Sequence, residues 1–221
     1  YNNIYENQQL ISSYISVSNA NFGISISTVG DIELSIDATN IPKGAIISNG
    51  NNLSLELSTF NNVKEPLNVN VNGYSNMDVC SFKNSGRAHI TSTSNSTMDH
   101  CQFSSSEGIT LNGGNWFLSV PSFTDMMYNG DGGSIAMYSS SLNTLYLEFA
   151  DFDNSTASGN GGMLYTNGTA VTIYGSQFSN GVSALGGAIY TEGGSIIFDG
   201  SNDFSYCTAS NGGAIYVNDA L

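Results

Sequence analysis

Few residues in this chain have the chemistry for catalysis, and their spacing decides how they could act. Arg87 and His89 flank Ala88, so on a strand they share one face while Ala88 takes the other. A cationic guanidinium beside an imidazole could bind an acidic sugar and move a proton; the plainer reading is two solvated side chains on an exposed strand. Paired carboxylates for glycoside hydrolysis could come from Asp99, Glu107, Asp125 or Asp131, though sequence alone does not show which of them face one another. Cys80, Cys101 and His100 form a candidate zinc set, but zinc sites normally show closer ligand pairs and four converging donors. A reduced, buried Cys80/Cys101 pair is the favoured reading. No cofactor is implied.

Four N-glycosylation sequons begin at Asn52, Asn95, Asn154 and Asn167. They are glycan acceptors if the chain is secreted by a eukaryote, and in so Asn- and Ser-rich a sequence several also arise from composition.

The elements that position these groups announce themselves through repetition. Phenylalanine recurs at Phe60, Phe82, Phe103, Phe123, Phe152, Phe178 and Phe204, in steps of 22, 21, 20, 29, 26 and 26 residues. Five places before it stand Leu55, Met77, Met98, Leu118, Leu147 and Ile173; only the last copy shifts, with Phe198 six places ahead of Phe204. Leu53/Leu57, Trp116/Val120 and Leu145/Phe149 extend the stripe with a period of two, the mark of a strand with one face buried. The same stripe places His100 with Val79 and Val120 as a partly buried residue.

A second strand follows a glycine pair at Gly132-Gly133, Gly161-Gly162, Gly186-Gly187 and Gly212-Gly213, stepping 29, 25 and 26 residues in phase with the phenylalanines. Asn62, Asn84, Asn154 and Asn180 stand two places after a phenylalanine, where a left-handed corner suits Asn. Asp125 holds that position in its own copy and reads as a turn residue. The glycines serve a bend or a close approach between backbones.

A unit of this length with two or three short strands and no helical period predicts an all-β fold: a parallel β-helix of about eight or nine rungs, covering 1–221 as a single segment with 1–13 unassigned. At ~4.8 Å per rung the rod is on the order of 40 Å long. Longer rungs in the second half add residues around Asn129 to Gly132, Asn154 to Gly161 and Val182 to Gly186, which marks that face as the likeliest interaction surface. Cys80 and Cys101 share one rung position and stack.

Composition narrows the partners. The net charge of −14, from 18 acidic and four basic residues, repels phosphate backbones and anionic membrane surfaces. No apolar stretch approaches the ~20 residues of a membrane span, and residues 1 to 30 show no charged start followed by an apolar core, so any signal peptide or anchor is expected outside this segment.

The glycine tetrads Gly186 to Ile189 and Gly212 to Ile215 both read GGAI, with the variants GGSI and GGML at Gly132 and Gly161. With the Phe-led Asn motif, they make residues 123 to 221 resemble the repeats of the chlamydial polymorphic outer-membrane protein family, marked by GGA[ILV] and FxxN. Here the second motif reads FxN, and the copies before Phe123 lack GGA. The resemblance implies a right-handed β-helix displayed at the cell surface or secreted as an adhesin.

The sequence therefore predicts a non-catalytic, extracellular or surface-displayed scaffold, adhesin-like or filament-forming. Its partners would be further copies meeting at uncovered terminal rungs near Tyr1 and Leu221, or a surface protein or glycan. The alternative is a carbohydrate-active enzyme or glycan-binding module in which Tyr165, Tyr190 and Tyr216 offer a platform to sugar rings.

Overall fold

Every paired strand in the computed structural model of the chain runs parallel to its neighbours, and there is no helix among the described residues. The structure describes residues 3–4, 10–21, 23–27 and 30–218; the terminal residues on which the expectation of uncovered ends rests lie outside these. The strands stack as a parallel β-solenoid of about nine turns.

Each turn crosses three sheets. The first holds Leu53–Glu56, Ser75–Asp78, Asn95–Asp99, Asn115–Ser119 and Ser195–Asp199. The second holds the short phenylalanine strands, among them Ser81–Lys83, Gln102–Ser104, Gln177–Ser179 and Asp203–Ser205. The third holds Ile24–Ser27, Ala88–Thr91, Ile109–Asn112, Ile189–Glu192 and Ile215–Asn218. Longer strands such as Asp31–Gly50 and Leu164–Tyr174 pass round a corner from one sheet to the next.

The core is a set of columns. The seven phenylalanine rings stack nearly parallel, with centroid separations of 4.8, 4.5, 4.8, 5.0, 4.8 and 4.7 Å from Phe60 to Phe204. Register carries the column back through Ala38 to Val17, two turns in which a smaller side chain fills the phenylalanine position. The first sheet adds the inward column Leu55, Met77, Met98, Leu118, Leu147 and Ile173. Phe198 follows Ile173 in register and meets the Phe204 ring edge-on at 5.6 Å, which absorbs the one-residue shift of the last copy.

Corners are where polar residues earn their positions. Asn40, Asn62, Asn84, Ser105, Asp125, Asn154, Asn180 and Tyr206 follow the phenylalanine column by two and all take a left-handed backbone, with φ between 48 and 61°. Asn62 Nδ2 donates to Asn40 Oδ1 at 2.8 Å, and Asn154 Nδ2 donates to Asp125 Oδ1 at 2.6 Å, so the corner is laced along the rod. Buried serines seal it from inside: Ser85 Oγ donates to the carbonyl of Phe60 at 3.0 Å, and Ser106 Oγ to that of Phe82 at 3.1 Å.

The opposite corner corrects the sequence reading. Leu57, Val79, His100, Val120 and Phe149 were expected inside the stripe, but each has φ near 50° and faces outward, with Leu57 68%, Val79 47% and Phe149 51% exposed. One left-handed residue turns the chain and breaks the period-two count, so the third apolar residue of each stripe falls outside the core.

The two glycines of each pair act differently. Gly161 has φ of 65° and makes the bend, whereas a Cβ on Gly162 would collide with the carbonyl oxygen of Gly187 in the next turn. Gly133 meets Gly162, and Gly187 meets Gly213, in the same way.

Candidate functional site

Arg87 and His89 do leave the third sheet on its outer face, with Ala88 buried inward. Arg87 is not solvated, however: the longer turn that follows Phe123 folds over it. Its Nε donates to Thr110 Oγ1 at 2.7 Å, its Nη1 to the carbonyls of Glu107 and Gly132 at 2.6 and 2.9 Å, and its Nη2 to that of Ile109 at 2.9 Å. The Tyr128 ring lies over the guanidinium. Burial draws Arg87 down to about 10, so it remains a cation at neutral pH. With four of its five N–H groups engaged, it is a strut between turns. Burial first, and the neighbouring guanidinium second, hold His89 below the usual imidazole range.

The zinc set does not assemble. Cys80 and Cys101 point inward and are free, while His100 points out from the left-handed corner, where its Nδ1 lies 2.8 Å from Asp99 Oδ1. The thiols occupy the corner-sealing place held elsewhere by Ser58 and Ser176: Cys80 Sγ approaches the Asp78 carbonyl at 3.6 Å, as Ser58 Oγ donates to the Glu56 carbonyl at 3.1 Å. A hydrogen bond with Cys80, then burial, push the Cys101 thiol up.

The four carboxylates separate. Asp99 sits on the outer first-sheet face, in register with Asp78 and Ser119. Asp131 belongs to the loop over the third sheet, where its Oδ1 accepts from the Asn160 N–H at 2.7 Å. Only Glu107 and Asp125 share a site: both line a groove of about 670 Å³ on the corner between the second and third sheets.

That groove runs along five turns. Asn40, Asn62, Asn84 and Asp125 form one wall, Pro42, Lys64, Glu107 and Met127 the other, and Ser85 and Ser106 the floor. The sequence reading recognised these asparagines as corners but not as a wall, because nothing in the spacing shows that the residue two places on also projects outward.

Tyr165, Tyr190 and Tyr216 do project outward, stacked at 5.5 and 5.6 Å with planes within 3°. They offer no platform. Their faces are spent on one another, and Tyr165 and Tyr190 are only 6% and 5% exposed because Leu185 packs against them. Tyr165 Oη donates to Glu192 Oε2 at 3.3 Å, and burial pushes Tyr165 up to about 12.

The loops of the longer turns build this cover by stacking on each other. Gly159 N–H donates to the Gly130 carbonyl at 2.9 Å, Ala184 N–H to that of Gly159 at 2.8 Å, and Ser210 N–H to that of Ala184 at 3.0 Å. Asn154, which also bounds one of the expected insertions, is the left-handed corner residue that its place after Phe152 predicts, within the strand Asp151–Ala157. Of the sequon asparagines, Asn95 and Asn154 are exposed, while Asn52 and Asn167 are half-buried. Asn52 is further tied down, accepting from the Tyr74 N–H at 3.1 Å and donating to Asp31 at 2.8 Å.

No protein-family model, curated protein or solved structure matches the chain.

Proposed function

We propose that the chain is a non-catalytic, extracellular scaffold: an adhesin-like surface protein or a filament-forming subunit. The observation that carries the reading is the state of Arg87. It is the single arginine of the chain, and its hydrogen bonds go to Thr110 and to three backbone carbonyls of the turns above.

Polar side chains elsewhere are engaged in the same way, as corner amides, corner-sealing serines and the Tyr165 phenol joined to Glu192. A molecule that invests its side-chain chemistry in columns gains a long, regular outer surface, which suits display and adhesion. The net charge of −14 disfavours nucleic acid and anionic membranes as partners. Asn95 and Asn154 are the sequons whose exposure suits glycan attachment.

Incubation with a panel of plant and microbial polysaccharides, followed by assay of new reducing ends, tests the reading. It predicts no release above blank. Turnover that disappears in Glu107→Gln or Asp125→Asn would replace the scaffold with an enzyme. Sedimentation over a concentration series separates the two forms of the proposal, since a filament subunit assembles as concentration rises and an isolated adhesin does not.

A further inference from the structure

We infer that the groove on the asparagine corner binds a linear, uncharged, hydroxyl-rich glycan lying parallel to the axis of the solenoid. The inference rests on the adhesin reading and supplies its ligand class.

The shape comes from the corner. Each left-handed residue throws its side chain out, the next residue turns in, and the one after turns out again, so a trough opens between two outward rows. Ile41, Ser85 and Ser106 are the inward residues and lie buried at its base. In the middle of the second row stands Gly86, with no side chain to fill the trough. Five turns at ~4.8 Å spacing give a length of roughly 20 Å, room for a chain of several sugar rings.

The chemistry favours hydroxyl groups. A primary amide has two N–H donors and two acceptor lone pairs. The lacing between Asn62 and Asn40 uses one donor of the first and one lone pair of the second, so each keeps capacity to spare. Repeated amides, with Lys64 on one wall and Glu107 and Asp125 close by, supply donors and acceptors at every turn, as a chain of vicinal hydroxyls requires. The exposed Met127 and Pro42 give the C–H faces of a sugar something apolar to lie on.

Other ligands fit less well. Two carboxylates against one lysine, in a molecule of charge −14, repel a sulfated or uronic chain. An extended peptide needs free backbone groups, but those of the walls are used between turns: Asn84 N–H donates to the Ser104 carbonyl at 3.0 Å, Gly86 N–H to that of Val63 at 2.9 Å, and Glu107 N–H to that of Ser85 at 3.0 Å.

The test is calorimetric titration with neutral linear β-1,4- and β-1,3-glucan and β-1,4-mannan oligosaccharides of increasing length, with a heparin oligosaccharide as the anionic comparison. At least one neutral series should bind, with affinity rising until the chain spans the trough at roughly four repeats. Asn62→Gly keeps the left-handed corner and removes the amide, and Lys64→Ala removes the cation; each should weaken binding by roughly fivefold, about the worth of one hydrogen bond. Absence of binding across the neutral series, preference for heparin, or binding unchanged in both variants would overturn the inference. Binding that survives both variants leaves the adhesin reading standing without this groove, whereas reducing-end release from a bound chain removes the scaffold reading and leaves the groove.

Discussion

The guanidinium carbon of Arg87 lies 3.8 Å from the centre of the Tyr128 ring, which arrives from a later turn of the solenoid. This contact pins the first of the longer turns onto the third sheet, and the remaining long turns stack on that one. The cover over Ala136, Tyr165 and Tyr190 therefore depends on a cation far below it in the rod.

Arg87→Met keeps the stem and removes the donors, leaving the carbonyls of Glu107, Ile109 and Gly132 without their partner. It should cost about 3 kcal/mol, because buried polar groups left unpaired bear their full desolvation penalty. Arg87→Lys should recover little, since an ammonium cannot reproduce the planar fork. Urea unfolding gives the stability, and proteolysis within 127–133 reports the loosened turn. Wild-type values for Arg87→Met would contradict the strut.

Gly162→Ala tests the close approach between turns. Its added Cβ meets the Gly187 carbonyl and the Val182 backbone, so backbone must shift, at about 3 kcal/mol. Gly193→Ala is the comparison: nothing stands within 4 Å of its Cβ, so only the left-handed φ of 59° resists, at about 1 kcal/mol. Equal losses in urea unfolding would argue against stacking through the glycine pairs.

Val79 and Val120 hold left-handed backbones, with φ of 51 and 50°, although a β-branched residue is the poorest choice there. Val79→Asn and Val120→Asn should each stabilise by about 1 kcal/mol. For a chain of this size that raises the thermal midpoint by about 2–4 °C. A fall of similar size would return these side chains to the core.

Much of the architecture was legible because its markers are side chains that must repeat at every turn. The phenylalanines, the corner asparagines and the glycine pairs each answer one constraint of stacking, so their spacing reports the turn directly. The second corner was hidden. Val79, Val120 and Phe149 satisfy the same alternation as true core residues, and only Gly175 and Gly200, which stand at that corner with φ of 60 and 66°, hint at the bend. Arg87 was misplaced as solvated because its burial depends on a turn some 40 residues later, and no local pattern encodes that cover. The tyrosine column could be read as in or out, and the answer required the loops that close over it.

Thiol reactivity follows from the same geometry. Cys80 and Cys101 are free and buried, and Cys207 is half-buried. A thiol reagent should modify Cys207 alone in the native protein, and all three cysteines only after unfolding. Mass analysis before and after reduction should show no difference, whereas a two-dalton change would place a disulfide between Cys80 and Cys101.

The central claim is that successive turns pile in register, so separation along the rod counts turns and not residues. Spin labels on one outward column of the first sheet measure this directly. Ser54, Asn76, Thr97, Phe117, Tyr146, Thr172 and Ile197 follow each other in register. At ~4.8 Å per turn, labels at Thr97 and Ile197 should stand roughly 19 Å apart, and labels at Ser54 and Ile197 roughly 29 Å, before the width added by the label. A 10 Å increment between the two pairs is the predicted result; equal or broadly scattered distances would contradict it.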